Sequence, residues 1–256
     1  MRGARGQRSA PGLRLYGVVS LAAPGRLAVD GAAASARARL QTPPLGTPAA
    51  EVVRVRDLGA VVAEARWAAE PLTAELVRGH RLVVEAVFAE RAVLPAPPGA
   101  LFRSRAALSA WMELHAASLA EGLRFVEDRA EARVTARSDA GAPPDDAAAS
   151  DEVARAAELF TALRREAVAH LVLRADADGG AGVPELTPAA GARAVPPTVT
   201  AAALAAGAHA AFLVDRSRWA AFADAVAREA RRHPGLHLAC GGPWPPYSFV
   251  RLDFAG

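Results

Sequence analysis

The chain has 256 residues, 52% of them hydrophobic, which suffices for one large or two ordinary domains, although much of that content is alanine and predicts thinly packed cores. Its 30 basic and 27 acidic side chains leave a formal charge of +3; every basic residue is arginine, and Arg2, Arg5, Arg8 and Arg14 crowd the start. No basic stripe interleaved with aromatics runs along one element, which argues against a nucleic-acid partner, and the single cysteine, Cys240, excludes an internal disulfide and a CxxC metal motif.

Residues 1–12 read as a disordered leader without a secretory apolar core, and no apolar run reaches the length of a membrane span, so the expected location is the cytosol with no membrane contact. Leu13 to Ser20 alternates as a strand. Ala22 to Ala50, rich in Ala, Pro and Gly without a period, is predicted to be a flexible insertion. Glu51 to Arg56 and Leu58 to Ala65 are valine-rich strands with a turn expected at Asp57-Leu58-Gly59. From Leu72 a helical period places Leu76, His80, Val83, Val84 and Val87 on one face, capped by Thr73. Val93-Leu94 is extended, and Ser104 to Glu121 is expected to be one helix burying Leu108, Trp111, Met112, His115 and Leu119.

Arg124 to Ala136 alternates as a strand, and Arg137 to Ser150 reads as a linker. Asp151 to Leu173 is predicted to be one helix, its stripe formed by Val153, Ala156, Ala157, Phe160, Leu163 and Ala167. A loop from Ala175 to Pro197 precedes Pro197 to Leu204, Ala-rich and readable as strand or helix, and a strand at Ala208 to Val214. Ser217 to His233 is an amphipathic helix stopped at Pro234-Gly235, and Leu236 to Cys240 is a closing strand. The fold class is α+β, with a first domain over 13–126 and a β-α-β-β-α-β second domain over 127–240, the ferredoxin-like arrangement.

No hydrolase, phosphate-loop or dinucleotide fingerprint is present, and neither His80 nor His115 has a carboxylate at metal-ligand spacing. His170, His209, His233 and His237 are scattered. His80 is expected to be a core or boundary histidine with one hydrogen bond, and Cys240 a buried small hydrophobe. Catalytic residues, metal ligands and cofactor contacts are therefore expected to be none.

The remaining signal is the C-terminus, 241–256, where Trp244, Tyr247, Phe249 and Phe254 stand among Pro243, Pro245 and Pro246 in a chain only 5% aromatic. Prolines fix the backbone in extended or turn conformations, which predicts a semi-rigid strap folding back on the protein with its rings as anchors. The string Gly242-Pro-Trp-Pro-Pro-Tyr-Ser-Phe-Val250 closely resembles the C-terminal signature of the gas vesicle protein L/F family. Leu15-Tyr16-Gly17-Val-Val-Ser20, the stretch from His80 to Leu94-Pro95, and Ala211-Phe212-Leu213-Val214 resemble the same family in the same order. One departure is visible: family members carry Arg-Phe-Gly-Thr after the Leu-Pro step, where this chain reads Ala96-Pro97-Pro98-Gly99-Ala100.

The resemblance implies a modified ferredoxin-like fold for the N-terminal half and a structural or partner-contact role for the motif residues. It further implies a non-enzymatic accessory protein of gas vesicle assembly, binding the small apolar shell protein and other accessory proteins and kept as a minor component of the vesicle. A small-molecule-sensing regulatory module built from paired ferredoxin-like domains is the alternative.

Overall fold

A computed structural model describes residues 10–22, 50–68, 71–138, 146–173 and 207–254. The expected flexible insertion apart from Ala22 and Ala50, the loop after Leu173, the segment Pro197 to Leu204 and most of the leader lie outside these residues; Ala50 is a buried strand residue and not part of an insertion. The chain divides into two compact units, Met1–Glu127 with Leu252–Gly256, and Asp128–Arg251.

In the first unit, β1 (Pro11–Ser20) pairs antiparallel with β3 (Leu58–Arg66) and on its other side with β4 (Val93–Pro95) and β5 (Leu101–Phe102), while β2 (Ala50–Val55) extends the sheet beyond β3. Pro11 and Gly12 are thus strand residues, not leader. The hairpin turns at Arg56-Asp57, Arg56 taking φ 54°, because Leu58 is buried and already pairs with Val55. Leu58 and Gly59 therefore belong to the strand and not to the turn expected of them.

Helix α1 (Ala74–Phe88) starts where Thr73 Oγ1 accepts the amide of Leu76, and it buries His80, Val83, Val84, Val87 and Phe88 against β1 and β4. The single helix expected over Ser104 to Glu121 is two, α2 (Arg105–Leu114) and α3 (Ala116–Val126), the second running past Arg124. His115 breaks it: its backbone sits at φ −100°, ψ 10°, and its ring Nδ1 donates to the Trp111 carbonyl at 2.9 Å, an acceptor that its own amide also uses. The break redirects the apolar stripe, so that Leu119, Leu123 and Val126 are buried in α3 while Leu114 is exposed.

The second unit opens on Asp128, which takes φ 53°, and forms a four-stranded antiparallel sheet in the order β7-β8-β6-β9, built from β6 (Arg129–Ser138), β7 (Ala169–Leu173), β8 (Ala208–Asp215) and β9 (Leu236–Trp244). Helix α4 spans Asp146–Arg164, and α5, Trp219–Arg232, follows a 3-10 turn at Arg216–Arg218. The expected linker therefore yields Arg137 and Ser138 to β6 and Asp146 to Ser150 to α4.

The larger correction falls on Asp151 to Leu173. Successive i→i−3 bonds at Arg165, Glu166 and Ala167 unwind α4, Val168 then donates to the Leu213 carbonyl, and Ala169–Leu173 runs as a strand. Alanine and leucine favour helix locally, but ladder bonds to β8 override that preference. Cys240 is also corrected: it is exposed on β9, although neighbouring atoms desolvate its thiol and raise its pKa, the opposite of activation.

Even-numbered residues of β6 and β8, Ala132, Val134, Ala136, Ala208, Ala210, Phe212 and Val214, meet Ala156, Leu159, Phe160 and Leu163 of α4 and Phe222, Ala225 and Val226 of α5. The alanines are expected to lie where the helices ride closest and the phenylalanines to fill the gaps. Truncating Phe222, 1% exposed, to alanine is predicted to destabilise the protein by about 3–5 kcal/mol in urea unfolding, whereas Leu114→Ala, at 74% exposure, should stay within about 0.5 kcal/mol.

Candidate functional site

The motif residues gather in two places. In the first unit Tyr16 and His80 are 1% and 2% exposed, and their rings lie 5.2 Å apart. The His80 Nε2–H donates to the Ala96 carbonyl at 2.8 Å, and the Ala96 amide donates to the Tyr16 carbonyl at 2.9 Å, so strand, helix and the segment after Pro95 are tied through one residue. This tautomer leaves Nδ1 a buried acceptor without a partner among the described residues. Gly17 opposes Pro95 and Leu94 opposes Val18 across β1 and β4; a methyl group on Gly17 would come within 2.7 Å of the Leu94 carbonyl oxygen, which explains the glycine.

Desolvation lowers the His80 pKa to about 4; the bond to Ala96 opposes this shift, and the charge of Arg14 adds to it. Burial raises the phenol of Tyr16, against the pull of Arg14. These are the signatures of a neutral, enclosed pair, not of an acid and a base poised for catalysis.

The second place is the sheet face of the second unit opposite α4 and α5. Glu131 of β6 is fully buried, and its carboxylate accepts from the Ser248 amide at 2.7 Å, the Ser248 hydroxyl at 2.9 Å and Arg133 Nε at 2.7 Å. To reach it the chain runs along β6 as far as Trp244, which pairs with Glu131 across a bulge, and then turns through Pro245 to Phe249 with bonds from Tyr247 N to the Pro245 carbonyl and from Phe249 N to the Pro246 carbonyl. The strap therefore leaves the sheet at Trp244 and not at Gly241-Gly242, because the closing strand runs longer than Leu236 to Cys240. Gly242 takes φ 134°, and a methyl group there would meet the Trp219 ring at 2.6 Å and the Glu131 carbonyl at 2.8 Å. Pro245, Pro246 and Ser248 are buried, whereas Trp244, Tyr247 and Phe249 are half-buried and Pro243 is exposed. Of the other motif residues here, Phe212 packs among Phe160, His170 and Phe222, and Leu213 is buried on the opposite side of β8.

The family profile of gas vesicle synthesis protein GvpL/GvpF matches residues 12–251. The chain belongs to the GvpL/GvpF family. This is a family of gas vesicle proteins and not a known enzyme family. No curated protein matches the chain. Among solved structures, the gas vesicle protein GvpF of an Anabaena strain superposes with a TM-score of 0.69 at 15% identity, covering 96% of this chain and 99% of that one. The GvpF of Microcystis aeruginosa superposes with a TM-score of 0.64 at 12% identity, over 94% and 99%. At such identities these structures speak for the fold of this GvpL/GvpF chain alone.

Glu131 and Ser248 escaped the reading of the sequence as site residues. In the alternation of β6 Glu131 stands with Arg133 and Arg137 on the side away from the helices, where an acidic residue reads as solvent-facing, and it gains meaning only when a donor 117 residues away is brought to it. A separate groove between α4 and α5, about 640 Å³, is lined by Ala154, Ala157, Glu158, Thr161, Ala162, Arg165, Glu229, Arg232 and His233. In it the buried Glu229 accepts from Arg232 at 3.0 Å and lies 3.5 Å from His233 Nε2. Among the described residues no cluster of three or more potential metal ligands occurs, and no helix is long and apolar enough to cross a membrane.

Two outcomes follow. Ser248→Ala should cost about 1.5–3 kcal/mol in urea unfolding, since a bond to a buried charge is lost, and most of that cost should vanish in a Glu131→Gln background; additive effects would show that the two do not interact. Between pH 6.5 and about 4 the unfolded chain binds a proton at His80 that the folded chain excludes, so stability is full above the window and falls as the pH drops through it. The loss amounts to roughly 3 kcal/mol at the lower end. His170 and His209, also lowered chiefly by burial, act in the same direction, so the His80 share is the difference between the melting profiles of the parent and His80→Gln, which should be flatter.

Proposed function

We propose that this chain is a non-enzymatic accessory protein of gas vesicle assembly. It binds the small apolar shell protein and other accessory proteins, works at the vesicle in the cytoplasm and is retained there as a minor component, without contacting nucleic acid or membrane. The observation that carries the reading is the family match over residues 12–251. The polar contacts in the two places support it: His80 donates to the Ala96 carbonyl and Glu131 accepts from the Ser248 amide, so these side chains hold backbone in place, which suits a binding scaffold.

The two compact units support a reading as two domains. The β6-α4-β7-β8-α5-β9 succession with strand order β7-β8-β6-β9 supports a ferredoxin-like second domain, and the five-stranded antiparallel sheet of the first a modified version of it. Among the described residues of the second unit β7 stands at the sheet edge and carries no charge from Ala169 to Leu173, following the exposed Val168, whereas β2 of the first unit bears Glu51, paired with Arg105, and β9 passes through Gly241-Gly242-Pro243 before Trp244. An uncharged edge is what an apolar subunit could pair with. The groove between α4 and α5, with its converging charges, favours the second reading, a small-molecule-sensing module.

A pull-down of the tagged chain from vesicle-forming cells should recover the shell protein at low salt and keep most of it at high salt, because an apolar contact is little screened. Steep salt loss would move the contact to the arginine-rich start, and DNA binding that competes with the shell protein would overturn the proposal. Thermal stabilisation by one member of a metabolite panel, without shell-protein recovery, would favour the sensing module.

A further inference from the structure

The last described residues are held by an aromatic seat that the function proposed above does not use. Phe102 on β5 and Trp111 on α2 are 9% and 8% exposed, and their rings lie 5.4 Å apart, with His115 packed 5.2 Å from Trp111. Into this seat comes the chain's own end: Trp111 Nε1–H donates to the Asp253 carbonyl at 2.7 Å, and the Phe254 ring stacks on Trp111 at 5.2 Å and 18° and stands edge-on to Phe102 at 6.0 Å. What the seat recognises is a main-chain carbonyl followed by an aromatic ring, a pattern any extended segment of that composition presents.

Residues 250–254 join no strand or helix, and Phe254 remains 37% exposed, so opening this end disrupts far less than unfolding the unit. Opening also bares two rings that are otherwise enclosed and strips the indole N–H of its acceptor, which favours prompt refilling. Glu131 holds Ser248 throughout, so only the residues beyond Ser248 need move.

We propose that the Phe102–Trp111–His115 seat is an exchange site that accepts the Asp253-Phe254 end of a second copy of this chain in place of its own. The argument for that occupant is that the segment seen filling the seat is one that every copy carries. The tethered end competes at an effective concentration of about millimolar, so dilute chains stay closed and exchange begins where copies are concentrated.

Complementary full-length variants remove that competition. Phe254→Ala opens the seat of one chain, and Trp111→Leu frees the end of the other. Each alone should sediment as a monomer, and an equimolar mixture at about 0.2 mM should form a heterodimer that a peptide of residues 248–256 dissolves. In parallel the labelled peptide should bind the Phe254→Ala chain at least about tenfold more tightly than the parent, whose own end occupies the seat, and Phe102→Leu takes the place of Trp111→Leu in the mixture if that variant does not melt cooperatively. Two folded variants that stay apart overturn the proposal, even where the peptide binds, since the seat would then take peptides but not a second copy. Equal peptide affinity for variant and parent overturns it as well.

Discussion

A carboxylate with no exposed surface has to be met by donors, and in the second unit that requirement falls on Glu131. Left unpaired at that depth it would be expected to destabilise the unit strongly, by several kcal/mol, and the donors available from its own strand stop at Arg133. The rest come from Ser248, whose amide and hydroxyl both point at the carboxylate. Much of what is unusual in the C-terminal sequence follows. Strand β9 has to be long enough to carry the chain to Glu131, a bulge has to absorb the register shift opposite it, and the backbone has to pass Trp219 where only a glycine fits. Buried Pro245 and Pro246 then introduce Ser248 with little conformational freedom left to lose.

The same logic recurs in the first unit with weaker groups. His80 reaches the main chain of Ala96, not its side chain. That choice explains how this GvpL/GvpF chain can read Ala-Pro-Pro-Gly-Ala where relatives are expected to carry Arg-Phe-Gly-Thr. A carbonyl is present whatever residue supplies it, and Leu101-Phe102 still closes onto β1.

Legibility in the sequence tracked the range of the interactions. Helices α1 and α5 were readable because their apolar periods, caps and stops are local, down to Thr73 and Gly235. Strand β7 was not, since its leucine and alanine content continues the preceding helix and only the ladder to β8 decides otherwise. The break at His115 was hidden for a related reason: a histidine ring bonding four residues back leaves the apolar period almost intact while changing its direction. The motif residues were found through resemblance, yet Ser248, the member that makes the decisive contact, was passed over in favour of the larger rings beside it. Burial reverses that emphasis, since Trp244 and Tyr247 are only half-covered.

That reversal bears on how aromatic residues are used along this chain. Phe160, Phe212 and Phe222 fill the space that an alanine-rich sheet leaves beneath its helices, and they have no polar atom to satisfy. Trp111 can sit nearly buried only because the Asp253 carbonyl takes its indole proton, so its burial depends on a segment that arrives from the end of the sequence. A ring packed by its own neighbours reports stability alone. A ring whose polar atom is satisfied by a detachable segment also reports whether that segment is in place, and this is why the Trp111 seat, unlike the phenylalanine core, can take part in contacts between molecules.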